Sequence, residues 1–251
     1  MRDLVSSELL KLRTTRTFFG ITGSGLGLLV LITILAASLG DYDGVSEPFT
    51  DLIGGASFIA VFALVIGILA ISTEFRHGTV TPSLLAVPNR RRWAFSKLFA
   101  NGLAGMAFGL VAAVVLSLVV LLIFGIRGIS PEADAGTVAK IVVGSTLSAG
   151  LLAALGVGLG AIIRNQAGAI VIGLLWLFVL EALVAGLIPG LDEPVSKYGI
   201  NGLLTGLNAT DSGGDYLGQI PAGLLLALYA VIVLVAGIGL LQRRDVAANS
   251  S

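Results

Sequence analysis

Cysteine is absent from the 251-residue sequence, and His77 is its single histidine. A disulfide framework, a thiolate metal site and a cysteine nucleophile are therefore impossible, and one imidazole cannot form a histidine cluster. Charge is scarce too: aspartate, glutamate, lysine and arginine make up 12% of the residues, against about a quarter in ordinary soluble domains. Disorder is excluded in turn, because 56% of the residues are hydrophobic and a chain with that much apolar surface does not stay solvated. What remains is a membrane protein. Fifteen basic residues balance fifteen acidic ones, so the net charge gives no sign of a partner, and no nucleic-acid partner is expected.

Several catalytic patterns are missing as well. The sequence holds no HExxH, no pair of aspartates within its apolar runs and no base for serine chemistry other than His77, which falls in a loop. It also lacks GxxxxGK followed by Ser or Thr, so no phosphate-cradling loop is encoded. We expect a protein that is not an enzyme and carries no cofactor or metal. If nucleotide supplies its energy, another chain binds it.

What is present is apolar length. A helix needs about 20 mainly apolar residues to cross a bilayer, and such runs lie near 18–39, 52–73, 98–125, 141–163, 167–190 and 220–241. They are continuously apolar, which excludes the alternating pattern of a membrane β-barrel. The expected fold is all-α: one transmembrane domain of six helices spanning residues 1–251. An even number of spans leaves both termini on one side. The segments on that side hold Arg2, Lys11, Arg13, Arg16, Arg76, Arg90, Arg91, Arg92, Lys97, Arg164, Arg243 and Arg244; the other side holds only Arg127, Lys140 and Lys197. The positive-inside rule then makes both termini cytoplasmic, with Asp41, Asp43, Glu47, Asp51, Asp192, Glu193, Asp211 and Asp215 outside. Ala36, Ala37 and Ser38 imitate a signal-peptide cleavage site, but a first apolar run of about 22 residues is too long for a signal core.

Small residues recur one helical turn apart at Gly23 and Gly27, Gly105 and Gly109, and Gly156 and Gly160. Such faces let helix backbones approach closely in lipid, within one chain or across a dimer seam. Residues 1–16 read as a short amphipathic helix with Leu4, Val5, Leu9 and Leu12 on one face, interrupted by Arg2 and Glu8. Such a helix either lies in the headgroup layer or serves only as a topology signal.

The segment from Glu74 to Lys97 carries more detail than a topological loop needs. Gly78 supplies a left-handed or flexible position, Thr81 and Pro82 read as N-cap and first residue of a helix over roughly 81–87, and Pro88 limits it. Pro88 and Asn89 then turn the chain, with Arg90, Arg91 and Arg92 at headgroup level and Trp93 as an interfacial anchor. The expectation is a docking element between the second and third spans.

In their order and spacing, SELLKLRTTRT near the amino terminus, EFRHGT after the second span, Arg164 with Asn165, and the closing Arg243, Arg244 and Asp245 resemble permease subunits of type-two ABC exporters, particularly actinobacterial ones. The resemblance covers nearly the whole chain. It implies a permease homodimer in a bacterial plasma membrane that works with two copies of a separate ATPase. It also implies an interfacial amino-terminal helix and a cytoplasmic coupling helix resting in a cleft of that ATPase. By position, Glu74, Phe75, Arg76, Gly78 and Thr79 form the start of the coupling element, and Arg164 sits in a second, shorter contact. Residues 194–210 correspond to a half-crossing outer segment.

Glu181 is the one ionisable residue well inside an expected span, roughly 12 Å from the outer end near Pro189 at 1.5 Å per residue. A carboxyl at that depth is protonated, paired or water-facing. Two roles are open: it lines the outer end of the translocation route or gate, or it caps the backbone of the outer segment after Pro194. Arg127 and Lys140 border the outer loop and are expected to snorkel. Two other functions compete with the exporter reading. An ion-driven secondary transporter usually shows repeated halves and midplane acids, and a membrane immunity or scaffold protein binds without transport.

Overall fold

Each of the six apolar runs becomes a helix long and apolar enough to cross a membrane. The computed structural model describes residues 1–42, 45, 47–87, 89–208 and 216–248. Asp43, Pro88, Asp211, Asp215 and the last two residues of the 194–210 segment lie outside the described residues, as do the side chains of Arg243, Arg244 and Asp245. No strand occurs among the described residues.

Helix α1 (Arg2–Thr14) precedes the first long helix, α2 (Arg16–Leu39). The second span is stepped. Helix α3 (Pro48–Gly54) leads through a 3-10 turn at Gly55–Phe58 into α4 (Ile59–Arg76), and the break falls at the Gly54–Gly55 pair. A short helix, α5 (Val80–Ala86), follows. Helix α6 (Arg90–Arg127) has 38 residues, about 57 Å at 1.5 Å per residue, and α7 (Ala135–Ile163) has 29. The fifth span consists of α8 (Gln166–Leu175), a π-helical turn at Trp176–Leu180, and α9 (Glu181–Leu187). Two short helices, α10 (Asp192–Tyr198) and α11 (Ile200–Asn208), lead to the last helix, α12 (Gln219–Ala248).

Side-chain caps mark where three helices begin. Asn89 Oδ1 accepts from the Arg92 N–H at 3.1 Å, Asp134 Oδ2 from Thr137 at 2.9 Å, and Asn165 Oδ1 from Gly168 at 2.9 Å, each meeting one of the orphan donors of a helix start. Asn89 thus begins α6 and does not merely turn the chain, so Arg90, Arg91 and Arg92 form its first turn. Two further sequence expectations are corrected in this segment. Helix α5 starts after Thr79, which places Thr81 and Pro82 inside its first turn. Trp93 is 3% exposed and packs in the core, which removes it from an interfacial role.

Helix α7 is the hub, packed against α4, α6, α11 and α12. Its composition explains this. Gly144, Ser145, Ser148, Ala149, Ala153 and Gly156 are all buried, and short side chains on every face let several backbones approach one helix where apolar burial gives no drive. Gly105 and Gly109 of α6 face the Ala149 and Ser145 carbonyls, whereas Gly156 and Gly160 face the backbone of α4. Gly23 and Gly27 of α2 have nothing within 4 Å of where a Cβ would stand. Two of the three glycine pairs therefore serve packing within the chain. Arg127, exposed at the end of α6, donates from Nη1 to the Ala37 and Gly40 carbonyls at 2.8 and 2.9 Å, tying the end of α6 to the end of α2.

Candidate functional site

One end of the bundle gathers α1, the end of α4, α5, the start of α6 and the α7–α8 turn. The helix signal ending α4 is a Schellman motif. Gly78, at φ +66°, takes the left-handed position; the Gly78 N–H reaches the Phe75 carbonyl and the Thr79 N–H reaches the Glu74 carbonyl at 2.9 Å. The EFRHGT string is thus a backbone stop: it ends α4 and releases the chain into α5 within three residues. On α5, Leu85 is 77% exposed, while Leu84 packs against the core.

Beside this stop lies a buried ion-pair cluster. Lys97, 0% exposed, donates to Glu8 Oε2 at 2.8 Å and to Glu74 Oε1 at 2.6 Å. Lys11 donates to Glu8 Oε1 at 2.7 Å and to Glu74 Oε1 at 3.3 Å. Two cations and two carboxylates thereby join three elements distant in sequence: α1, α4 and α6. Lys97 also stands 5.3 Å over the Trp93 ring. A cavity of about 500 Å³ opens next to the cluster, polar at Lys11, His77 and Thr79 and apolar at Phe18, Ile66 and Leu69.

The other expected coupling residues face a different cleft. Arg76 Nη1 donates to Gln166 Oε1 at 3.1 Å, and the Arg164 guanidinium lies 5.0 Å over the Phe75 ring. Arg76 and Arg164 line one cleft of about 530 Å³ with Asn165 and Gln166. Arg164 holds the left-handed conformation, φ +57°, that ends α7. Six residues assigned from sequence thus fall in one region with four different surroundings. Glu74 turns inward to the cluster, Phe75 and Arg164 stack, Arg76 is exposed, and Gly78 and Thr79 form the turn.

Sequence reasoning missed Glu8, Lys11 and Lys97 as members of this site. The signal was the break in the apolar stripe. Glu8 sits on the same face as Leu4, Val5, Leu9 and Leu12 and is the one buried residue of α1, because that face meets α6.

Burial pushes the Glu8 carboxyl up, but Lys97 and Lys11 outweigh it and hold the group below the ordinary carboxylate value. Burial likewise pushes Lys11 down, but Glu8 and Glu74 outweigh it and hold the ammonium above the ordinary lysine value. A lowered acid contributes stability above its unfolded pKa and loses it as pH falls through the folded one; a raised base contributes below its unfolded pKa and loses it as pH rises. Helix α1 should therefore stay docked through the neutral range and loosen below about pH 4.5 and above about 10.5. A spin label on Ser6→Cys, unique in a cysteine-free chain, should sharpen only in those two ranges; sharpening within the neutral range contradicts the assignment.

At the opposite end, the π-helical turn aligns residues five apart. Trp176 Nε1 donates to Glu181 Oε1 at 2.9 Å. The same oxygen accepts from the Ile200 N–H at 2.7 Å, and Oε2 accepts from the Asn201 N–H at 2.9 Å. Glu181, 8% exposed, thus caps the start of α11, the arrangement expected if it serves the outer segment's backbone. Asn201 Nδ2 donates back to the Leu177 carbonyl at 2.6 Å. Glu181→Ala leaves three donors unmet, at about 1–3 kcal/mol for each buried one, whereas Glu181→Gln keeps an acceptor. The alanine variant should melt well below the glutamine variant in a thermal-shift assay; equal melting points contradict the capping role.

The profile of a family described as "Protein of unknown function (DUF2705)" matches residues 29–247. The chain belongs to this family. The DUF2705 match takes in Glu74, Lys97, Arg164 and Glu181 but begins after α1, which supplies Glu8 and Lys11. Comparison with curated proteins finds no match.

Proposed function

We propose that the protein is the transmembrane permease subunit of an ATP-binding-cassette exporter, a homodimer in a bacterial plasma membrane with both termini cytoplasmic. A separate ATPase subunit supplies the energy. One observation carries the reading. A short, partly exposed helix, α5, is joined by a three-residue turn to α4, whose Glu74 is ion-paired to Lys97 of α6 and, through Lys97, to Glu8 of α1. A displacement of α5 is thereby passed to two long helices and the amino-terminal helix together, as a rigid-body transition requires. Helix α6, at 38 residues, exceeds the hydrocarbon thickness and reaches from the push to the opposite face. The cleft shared by Arg76 and Arg164 gives the ATPase a second, basic contact.

Purification in mild detergent tests the reading. A nucleotide-binding protein should accompany the chain, and Arg76→Glu or Leu85→Asp should reduce its recovery about tenfold without lowering the yield of the permease, since both side chains are exposed. Uphill transport by the pure chain in vesicles, driven by a proton or sodium gradient without nucleotide, overturns it.

A further inference from the structure

A cavity of about 480 Å³ lies among α4, α7, the fifth span and α12, at the level of Glu181. Its walls are largely apolar, with Leu152, Leu155, Ile172 and Ile232 contributing. The polar exceptions are concentrated: Glu181, the Trp176 indole, and Tyr198 and Tyr229, whose hydroxyl donates to the Tyr198 carbonyl at 3.0 Å.

No cationic side chain pairs with the Glu181 carboxyl among the described residues. Both oxygens of Glu181 accept hydrogen bonds, and all three donors are neutral N–H groups, so none of them supplies a positive charge to the carboxyl. A charge in an apolar setting calls for a partner of opposite sign, and the cavity is where one fits. Its chemistry is narrowed further. Inorganic cations need several oxygen ligands at close range, whereas this cavity presents one carboxylate, most of whose lone pairs are taken. Aromatic faces attract organic cations without N–H donors, and the remaining walls suit hydrocarbon.

We propose that this cavity binds a lipophilic organic cation, with its charge beside Glu181 and the aromatic rings and its apolar body along α7 and α12. That such a cation is the exported cargo rests on the permease reading; the binding itself does not.

The test uses the full chain in nanodiscs, without nucleotide or ATPase, and radiolabelled tetraphenylphosphonium as probe. Tetraphenylborate, of nearly the same shape and opposite sign, is the comparison. Saturable binding of the cation over empty nanodiscs is expected, weakened at least tenfold by Glu181→Gln, with no saturable binding of the borate. Ile232→Trp fills the cavity from a side chain that is 55% exposed and touches none of the Glu181 hydrogen bonds; it should abolish binding. Absence of saturable binding in the wild type, equal binding of the borate, or undiminished binding in Ile232→Trp overturns the proposal. So does undiminished binding in folded Glu181→Gln. If Glu181→Gln does not fold, Ile232→Trp and the borate comparison decide alone. Failure here leaves the copurification test of the permease reading untouched.

Discussion

Gly67→Ala should prevent recovery of folded protein, although it adds a single methyl group. A Cβ at Gly67 of α4 runs into the carbonyl oxygen and carbon of Ala153 on α7, and a Cβ at Gly156 of α7 runs into the carbonyl oxygen of Leu64 on α4. The two backbones are in direct contact at both places, so no flexible side chain can swing aside. Overpacking against side chains costs about 1–3 kcal/mol. Here whole helices must separate, which exceeds that range and unpacks the hub. Gly156→Ala should behave alike. Gly23→Ala and Gly27→Ala, whose surroundings are open, should leave the stability within about 1 kcal/mol of wild type. Size-exclusion profiles and thermal shifts of the four variants check this, and a monodisperse Gly67→Ala with wild-type melting contradicts the α4–α7 packing.

The number and type of elements were legible because crossing a bilayer imposes a length of apolar sequence that few other constraints imitate. The third span shows the limit of that reading. Its apolar run, 98–125, is where lipid demands apolarity, but Asn89 caps the helix two turns earlier, and backbone hydrogen bonding does not stop where side chains become charged. The π-helical turn at Trp176–Leu180 left no mark in composition, since it follows from the hydrogen bonds between Trp176, Glu181 and residues 200 and 201. Those partners stand 19 and 20 residues from Glu181 in sequence, a separation no periodicity reports. The depth of Glu181 was readable from counting; its role as a cap required knowing that α11 starts beside it.

The candidate coupling region was legible as a place and not as an arrangement. Glu74, Phe75 and Arg76 are consecutive on a helix, so they project about 100° apart and meet different neighbours: Lys97 for the first, Arg164 for the second and Gln166 for the third. Sequence groups them as a motif, and packing divides their work. In sequence Lys97 counts among the cations that mark the cytoplasmic side, because a charge at the edge of an apolar run normally stays in water. It is buried because two carboxylates meet it from α1 and α4.

That burial makes Lys97→Met the second severe change. Removing the ammonium leaves Glu8 and Glu74 facing each other with only Lys11, whose side chain is 53% exposed, to balance them. Breaking a buried pair by deleting one partner costs about 3–5 kcal/mol, because the surviving charge is uncompensated. Helix α1 should detach and the melting point fall accordingly. Replacing the whole group with a neutral one is a different matter, since a buried ion pair exchanged for uncharged residues of similar volume is often neutral or stabilising. The triple variant Lys97→Met, Glu8→Gln, Glu74→Gln should therefore regain most of the stability lost by Lys97→Met alone. Under the permease reading, an assay of transport by this variant then separates two roles for the cluster. If the charges only hold α1 in place, the triple variant transports normally. If, as the permease reading requires, they pass movement from α5 to α6, a folded triple variant should bind the ATPase yet show transport lowered at least tenfold, because methionine and glutamine pack without the directional bonds that make α1, α4 and α6 move as one body.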